Sequence, residues 1–497
     1  MKKKLVLNIM TGFGGQLIAI ILGLIVPRLF ITGYGSDVNG LLSTITQIFT
    51  YMTLLEAGIG QAAKNLLYKP FQENDRDGVS KIASTAKSYF KKFTIVYAIG
   101  VVILAFSLSF VLKTNVSSAS ISLIVLFEGM SGVISFYFIQ TPSIIIGVDG
   151  KSYVNNGINL LNKIIGYAVK IIMASFGLNI ILLQFVYFGV TVAKVFFYEV
   201  YFRKHYAWVS FNKNDKNIKL QDRNSYIVVE ICWTIFSSTD MIVLSTFLST
   251  QMSSVYGIYN MLFANISLLL NAVYTSVTYI LGQTYHESKE KYILVHDAFN
   301  SVFFGMMTAV MIVCYLLTIP FVALYTRGVT DIDYINTSLP LMFCLIQLLS
   351  WSRYVSGNLV GVAGRIRKAV WVNVLEAVIN LTCSIILVNK LDIVGVLFAT
   401  VIALPVKLIY CNYVGDKIIL GRSCRNTIKI LGTNFLLFFI AVFLKSFIEI
   451  NIDSYLMFLV YGAVLSCISV GVIFLINALI NPNMMRVAMN ILKRRKA

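Results

Sequence analysis

Two lysines, Lys163 and Lys170, stand seven residues apart in an otherwise apolar run. In a helix that spacing is two turns, so both fall on one face, together with Asn155, Asn159, Asn162 and Gly166. Arg353 interrupts a second apolar run, Gln347-Leu348-Leu349-Ser350-Trp351-Ser352-Arg353, and Arg28 follows Pro27 in the first. Gln47, Asn260, Asn271 and Asn373 place amides in four further runs, and Asp240 and Glu376 place carboxylates in two. Ammonium and guanidinium groups can hold an anion, and the amides can hydrogen-bond a polar ligand. Asp240 and Glu376 can bind a coupling cation or proton, or pair with a base. The plain structural alternative is packing: amides as glue between helices, and Arg353 or the lysines paired with Glu56, Glu128, Asp240 or Glu376.

Nothing in the chain resembles a catalytic constellation. There is no HExxH, Walker or GxSxG pattern, so no catalytic residue and no cofactor is expected. The seven cysteines form no CxxC pair, and the three histidines, His205, His286 and His296, fall in or beside polar connectors. That spacing argues against a disulfide framework and against a metal site.

The elements that must carry these residues follow from composition. The chain has 497 residues, 58% hydrophobic and 13% charged, with a mean hydropathy of +0.79. Soluble domains are about 25% charged, so a soluble globular protein and a disordered one are both excluded. Fourteen runs are long enough to cross a bilayer as helices: 5–31, 38–63, 88–112, 119–147, 154–175, 178–202, 225–248, 253–282, 298–325, 335–362, 368–389, 392–414, 428–447 and 455–480. The first follows three lysines but exceeds the apolar length of a signal peptide and has no small-residue cleavage site, so it reads as a retained span. A charged 69–87 stretch reads as a surface amphipathic helix or a solvated loop.

The net charge of +19 is not spread evenly. Connectors on one side of the spans hold 31 Lys and Arg, those on the other side hold four (Lys113, Arg327, Lys390 and Lys445), and six lie inside spans. The positive-inside rule then puts both termini in the cytoplasm. The same dispersal among loops excludes a nucleic-acid partner. No connector exceeds about 30 residues, which leaves no room for a water-exposed catalytic domain.

The chain also repeats itself faintly. Gly147-Val148-Asp149-Gly150-Lys151 recurs as Gly361-Val362-Ala363-Gly364-Arg365, Asn159 meets Asn373, Lys194 meets Lys407, and Val38-Asn39-Gly40 meets Val255-Tyr256-Gly257. Six spans separate the copies, so they form parallel repeats with a site expected between them. The expected organisation is a six-helix lobe over 1–215, a second over 216–420, and two additional helices with a basic tail over 421–497.

Pro27-Arg28-Leu29-Phe30-Ile31-Thr32-Gly33-Tyr34-Gly35, followed by Val38-Asn39-Gly40-Leu41, resembles the first hairpin of bacterial polysaccharide flippases. Asp240-Met241-Ile242-Val243-Leu244 and Val255-Tyr256-Gly257-Ile258-Tyr259 look like the start of their second lobe. Asn373 to Leu381 and Asp392 to Thr400 are similar to their eleventh and twelfth helices. The resemblance runs through twelve spans and points to the polysaccharide branch of the multidrug/oligosaccharidyl-lipid/polysaccharide exporter superfamily. It implies an all-α integral membrane protein with about 14 transmembrane helices, in two parallel six-helix lobes forming a V, plus two extra C-terminal helices. It further implies an undecaprenyl-pyrophosphate-linked oligosaccharide moved from the inner to the outer leaflet of the bacterial cytoplasmic membrane by alternating access. Polysaccharide polymerase and glycosyltransferases are the implied partners.

Under that reading Arg28, Lys163, Lys170 and Arg353 would meet the pyrophosphate. Asn155, Asn159, Gln47, Asn260, Asn271 and Asn373 would meet sugar, and Asp240 and Glu376 would couple an ion or pair charges. Fourteen spans resemble lipid II flippases more than twelve-span O-antigen flippases, so the sub-branch stays open. A multidrug exporter of the same fold would want an acidic cavity. A membrane glycosyltransferase or ligase would want a longer outer loop than any here.

Overall fold

A computed structural model describes residue 18, residues 20–211, residue 234, residues 239–448, residue 450, residues 452–481 and residue 484. Most of the expected 225–248 span, part of the first span and the basic tail lie outside the described residues. Among the described residues the structure is helical throughout, without a strand. In chain order the helices are α1 (Ile20–Tyr34), α2 (Ser36–Gln72), α3 (Arg76–Val111), α4 (Ser118–Val148), α5 (Ser152–Ser175), α6 (Ile180–His205) and α7 (Asp240–Phe247). They continue with α8 (Thr250–Glu287), α9 (Lys289–Tyr325), α10 (Leu339–Trp351), α11 (Tyr354–Val362), α12 (Ile366–Tyr413), α13 (Arg425–Lys445) and α14 (Tyr455–Ile480).

Among the described residues nine helical segments are long and apolar enough to cross a membrane, and one of them, Ala369–Ile419, contains two of the expected spans. Large apolar side chains face outward: Phe106, Phe110, Leu456 and Leu479 are each at least 70% exposed. A water-soluble monomer does not display such a surface, whereas lipid does not penalise it. The chain is a multi-pass membrane protein.

Local chemistry sets the helix ends. Asp75 accepts from the Gly78 amide at 2.9 Å to start α3, and Asn179 accepts from Ile181 at 2.8 Å to start α6. Ser117, Ser288 and Ser454 cap α4, α9 and α14 in the same way. The 69–87 stretch is neither a surface helix nor a loop. Helices α2 and α3 extend into it from both sides and leave only residues 73–75 as the turn. Pro142 explains a π-helical turn within α4: it offers no N–H to Phe138 and its ring crowds that carbonyl, and the helix widens over Ser135–Ile139 just before it.

The chain divides into two compact units, residues 1–255 and 256–497. In the first, α3 packs between α2 and α4, α6 lies on α4 and α5, and α7 lies on α2. Its core is built around Leu41, Ile45, Phe90, Tyr97, Ile121 and Ile145. Gly40 on α2 permits close approach to the start of α8, since a Cβ there would lie 1.7 Å from the Thr250 carbonyl oxygen. In the second unit α9 is the hub and contacts α10, α13 and α14.

The repeated turns match in detail. In Gly147–Lys151 the amides of Asp149, Gly150 and Lys151 bond to the carbonyls of Ile145, Gly147 and Ile146 at 3.1, 3.0 and 3.1 Å. In Gly361–Arg365 the amides of Ala363, Gly364 and Arg365 bond to Leu359, Gly361 and Val360 at 2.9, 3.0 and 3.0 Å. Gly150 and Gly364 have φ of 72° and 68°, the left-handed conformation that glycine adopts without a steric cost.

Candidate functional site

The polar face of α5 is the densest set of candidates in the first unit. Asn155 donates to the Ser143 carbonyl of α4 at 2.8 Å, and its Oδ1 is buried with no partner. Asn159 is half-buried one turn on, and the Asn162 Oδ1 is also buried without a partner. Lys163 is exposed. Lys170, half-buried, places its Nζ 4.0 Å from the Tyr187 ring centroid on α6, and Tyr187 in turn covers Gly166, where a Cβ would come within 2.8 Å of the ring. A cation over an aromatic face is held by the ring quadrupole while it keeps hydrogen-bond donors free. Glu128 on α4 supplies the negative charge felt by Lys170 and Tyr187. Neither Lys163 nor Lys170 forms an ion pair among the described residues.

The other first-unit candidates sit on different elements. Arg28 and Gln47 are half-buried on α1 and α2, and Asp240 is buried at the first turn of α7. In the second unit Arg353 and Glu376, each 3% exposed, are brought together: the guanidinium donates to the carboxylate. Of the two roles open to Glu376, charge pairing is the one with a contact. Asn380, on the same helix, donates to Thr400 at 2.8 Å. Asn260 and Asn373 are half-buried, Asn271 is exposed, and the polar face of α8 is engaged at Ser267, which donates to Gln347 on α10 at 2.6 Å.

Three polar clusters lie outside the candidates read from the sequence. Asp37 accepts from Asn115 at 2.8 Å, from Thr114 at 3.4 Å and from Thr250, tying α2, the α3–α4 connector and the start of α8. Asn39 donates to Ser254 at 2.8 Å in the same region. In the second unit Asp297 takes two bonds from Arg422 at 2.6 and 2.9 Å and one from Asn426 at 2.7 Å, while Asp416 takes the Arg422 Nε at 2.7 Å. At the α4–α5 connector, Asp149 accepts from Lys151 and from the Tyr206 hydroxyl, both at 2.7 Å. Burial opposes the Lys151 charge, but the Asp149 hydrogen bond and charge outweigh it and hold the ammonium above the ordinary lysine value. Burial, then Asp149, pushes the Tyr206 hydroxyl up as well. Apart from Lys151 with Asp149 and Arg422 with Asp416, these partners are far apart in sequence, where no local spacing reveals them.

No protein-family model matches the chain, and no curated protein matches its sequence. Solved structures do. The lipid II flippase MurJ in an inward closed conformation superposes with a TM-score of 0.65 at 12% identity, covering 94% of this chain and 99% of that one. An inward-facing multidrug resistance MATE family transporter of the MOP superfamily gives 0.64 at 15% identity, covering 81% and 94%. A MOP superfamily transporter from Pyrococcus furiosus, described as having a binding pocket of reverse polarity, gives 0.57 at 13% identity, covering 84% and 96%. The MurJ match leaves only about 30 of the 497 residues uncovered, fewer than the 421–497 segment holds, so it reaches into the C-terminal helices. This chain has the fold shared by these MOP superfamily transporters.

Proposed function

We propose that the protein is a flippase that carries an undecaprenyl-pyrophosphate-linked oligosaccharide from the inner to the outer leaflet of the bacterial cytoplasmic membrane, for capsule, exopolysaccharide or cell-wall polysaccharide assembly. The observation that carries this reading is the face of α5, where Lys163 and Lys170 stand at membrane depth without an ion-pair partner among the described residues, beside amides with unused acceptors. A lysine in mid-bilayer costs about 2.5–3.5 kcal/mol on insertion scales, and a bound anion would offset that penalty. A pyrophosphate needs cations and a sugar needs amides and hydroxyls, and this face has both. Transport of such a cargo requires no bond cleavage. The shared fold of a lipid II flippase supports a lipid-borne cargo, and its coverage of the C-terminal helices favours lipid II itself as the second reading.

The test is accumulation of lipid-linked oligosaccharide in the inner leaflet of a deletion strain, with complementation by Lys163→Ala, Lys170→Ala and Arg353→Ala at matched membrane abundance. Loss of export by the lysine variants is expected. Normal export by all three would overturn the basic-face mechanism, and accumulation of lipid II instead of an oligosaccharide would select the second reading. Orientation follows from the charge asymmetry: cysteines placed at Asn115 and Asn336 should react with an impermeant thiol reagent in whole cells.

A further inference from the structure

A groove of about 570 Å³ runs between α5 and α6, walled by Ile158, Leu161, Ile165, Phe188 and Phe197. Gly189 forms part of the wall, with open space where a Cβ would be. Two polar groups are out of place in this apolar surface: Lys194 lines it, and so does Asn162 with its buried, unpartnered Oδ1. Lys163 follows Asn162, and its charge acts on Lys194 across the helix pair. Neither lysine has an ion-pair partner among the described residues. At 1.5 Å per residue, Lys163 and Lys194 each lie roughly 16–21 Å from either end of their helices, close to mid-bilayer.

We propose that this groove seats the apolar chain of a lipid phosphate in transit, with Lys194 and Lys163 holding the phosphate and Asn162 Oδ1 accepting from a hydroxyl beside it. The inference rests on the flippase reading and adds a seat for the lipid. An ammonium set in an apolar wall is relieved by an anion, which gives the groove its charge complementarity. A resident phospholipid keeps its phosphate at the membrane surface and does not present it at this depth. A lipid being carried across must pass it. A second apolar groove of about 330 Å³, between α8, α9 and α14, includes Phe263, Leu317 and Phe458 but no charged residue, so it has nothing to hold a head group.

The experiment uses the purified full chain in phosphatidylcholine nanodiscs and a fluorescent polyprenyl monophosphate as probe. Saturable binding is expected, weakened about tenfold by Lys194→Gln or Lys163→Gln, the loss of one charge-assisted contact. Lys194→Arg should retain it. Gly189→Leu puts a side chain into the groove from a position with open space at its Cβ and favours the helix, so it should weaken the probe while leaving the thermal midpoint unchanged. Wild-type binding by both Lys194→Gln and Gly189→Leu would overturn the proposal. So would equal competition by phosphatidylglycerol, which marks a resident-lipid seat, or by inorganic pyrophosphate, which marks a head-group site alone. The two readings fail separately: normal export in the deletion strain removes the flippase and leaves the binding result, whereas lost export with unaltered probe binding in the variants removes only the groove.

Discussion

Arg353 donates a hydrogen bond to Glu376, 23 residues further on, and both side chains are buried. Lys407 also acts on this carboxylate. Removing one partner strands a buried charge, so Glu376→Ala should destabilise the protein by about 3–5 kcal/mol. Replacing both, Arg353→Met with Glu376→Leu, should restore stability to near the native value. Thermal unfolding in detergent and membrane abundance check both statements. The double variant also separates roles: an abundant protein that exports nothing assigns Arg353 to the cargo, and normal export assigns the pair to the fold.

Asp392 is the single non-helical residue inside α12, with φ 52° and ψ −136°. It marks the reversal between the expected spans 368–389 and 392–414. Three residues on, Gly395 approaches the Leu387 backbone so closely that a Cβ would lie 2.4 Å from its carbonyl oxygen. A non-glycine residue at that dihedral stores strain, so Asp392→Gly should raise stability by about 1 kcal/mol. Asp392→Val should lower it by more, since a β-branched residue tolerates positive φ least. Thermal midpoints of the two variants should fall on opposite sides of the native one.

Arg422 holds Asp297 with two bonds and Asp416 with a third. Arg422→Ala leaves two buried carboxylates facing each other and should cost about 3–5 kcal/mol. Arg422→Lys should recover little, because a single ammonium cannot reproduce the planar fork. Asn426 and Asn481 bond to the same aspartate from either end of the α13–α14 pair, so the loss should loosen those helices first. Hydrogen exchange of α13 and α14 in the Arg422→Ala protein reads this directly.

The Lys151–Asp149–Tyr206 cluster gives a pH prediction. The folded-state value of Lys151 lies above the ordinary 10.5. Its contribution is therefore complete below that value and fades as pH climbs through the folded-state value. Stability should show no slope from this residue between neutral and mildly alkaline pH. Lys151→Met should cost about 0.5–1 kcal/mol there and remove the alkaline loss. Thermal unfolding of both proteins from pH 7 to 11 is the measurement.

What the sequence determined was the solvent and the elements. A bilayer demands long apolar helices with their backbone bonds satisfied internally, and that demand is written in composition and run length. The turn at Gly150 and its mate at Gly364 were legible for a similar reason: a left-handed helix end calls for glycine whatever surrounds it. The polar face of α5 was readable because helical periodicity alone aligns Asn155, Asn159, Lys163 and Lys170. Periodicity could not say which neighbour meets that face. It did not show that Tyr187 covers Gly166 and lies under Lys170, or that Lys194 and Asn162 line one groove. The 69–87 stretch misled because charge marks contact with water, which a helix extending beyond the membrane meets as readily as a loop does. The bonds of Asp37 to Thr250 and of Arg422 to Asp297 join residues 213 and 125 apart. Side-chain partners at that separation depend on how helices pack, and packing is a property of the assembled tertiary structure that no local window of sequence contains.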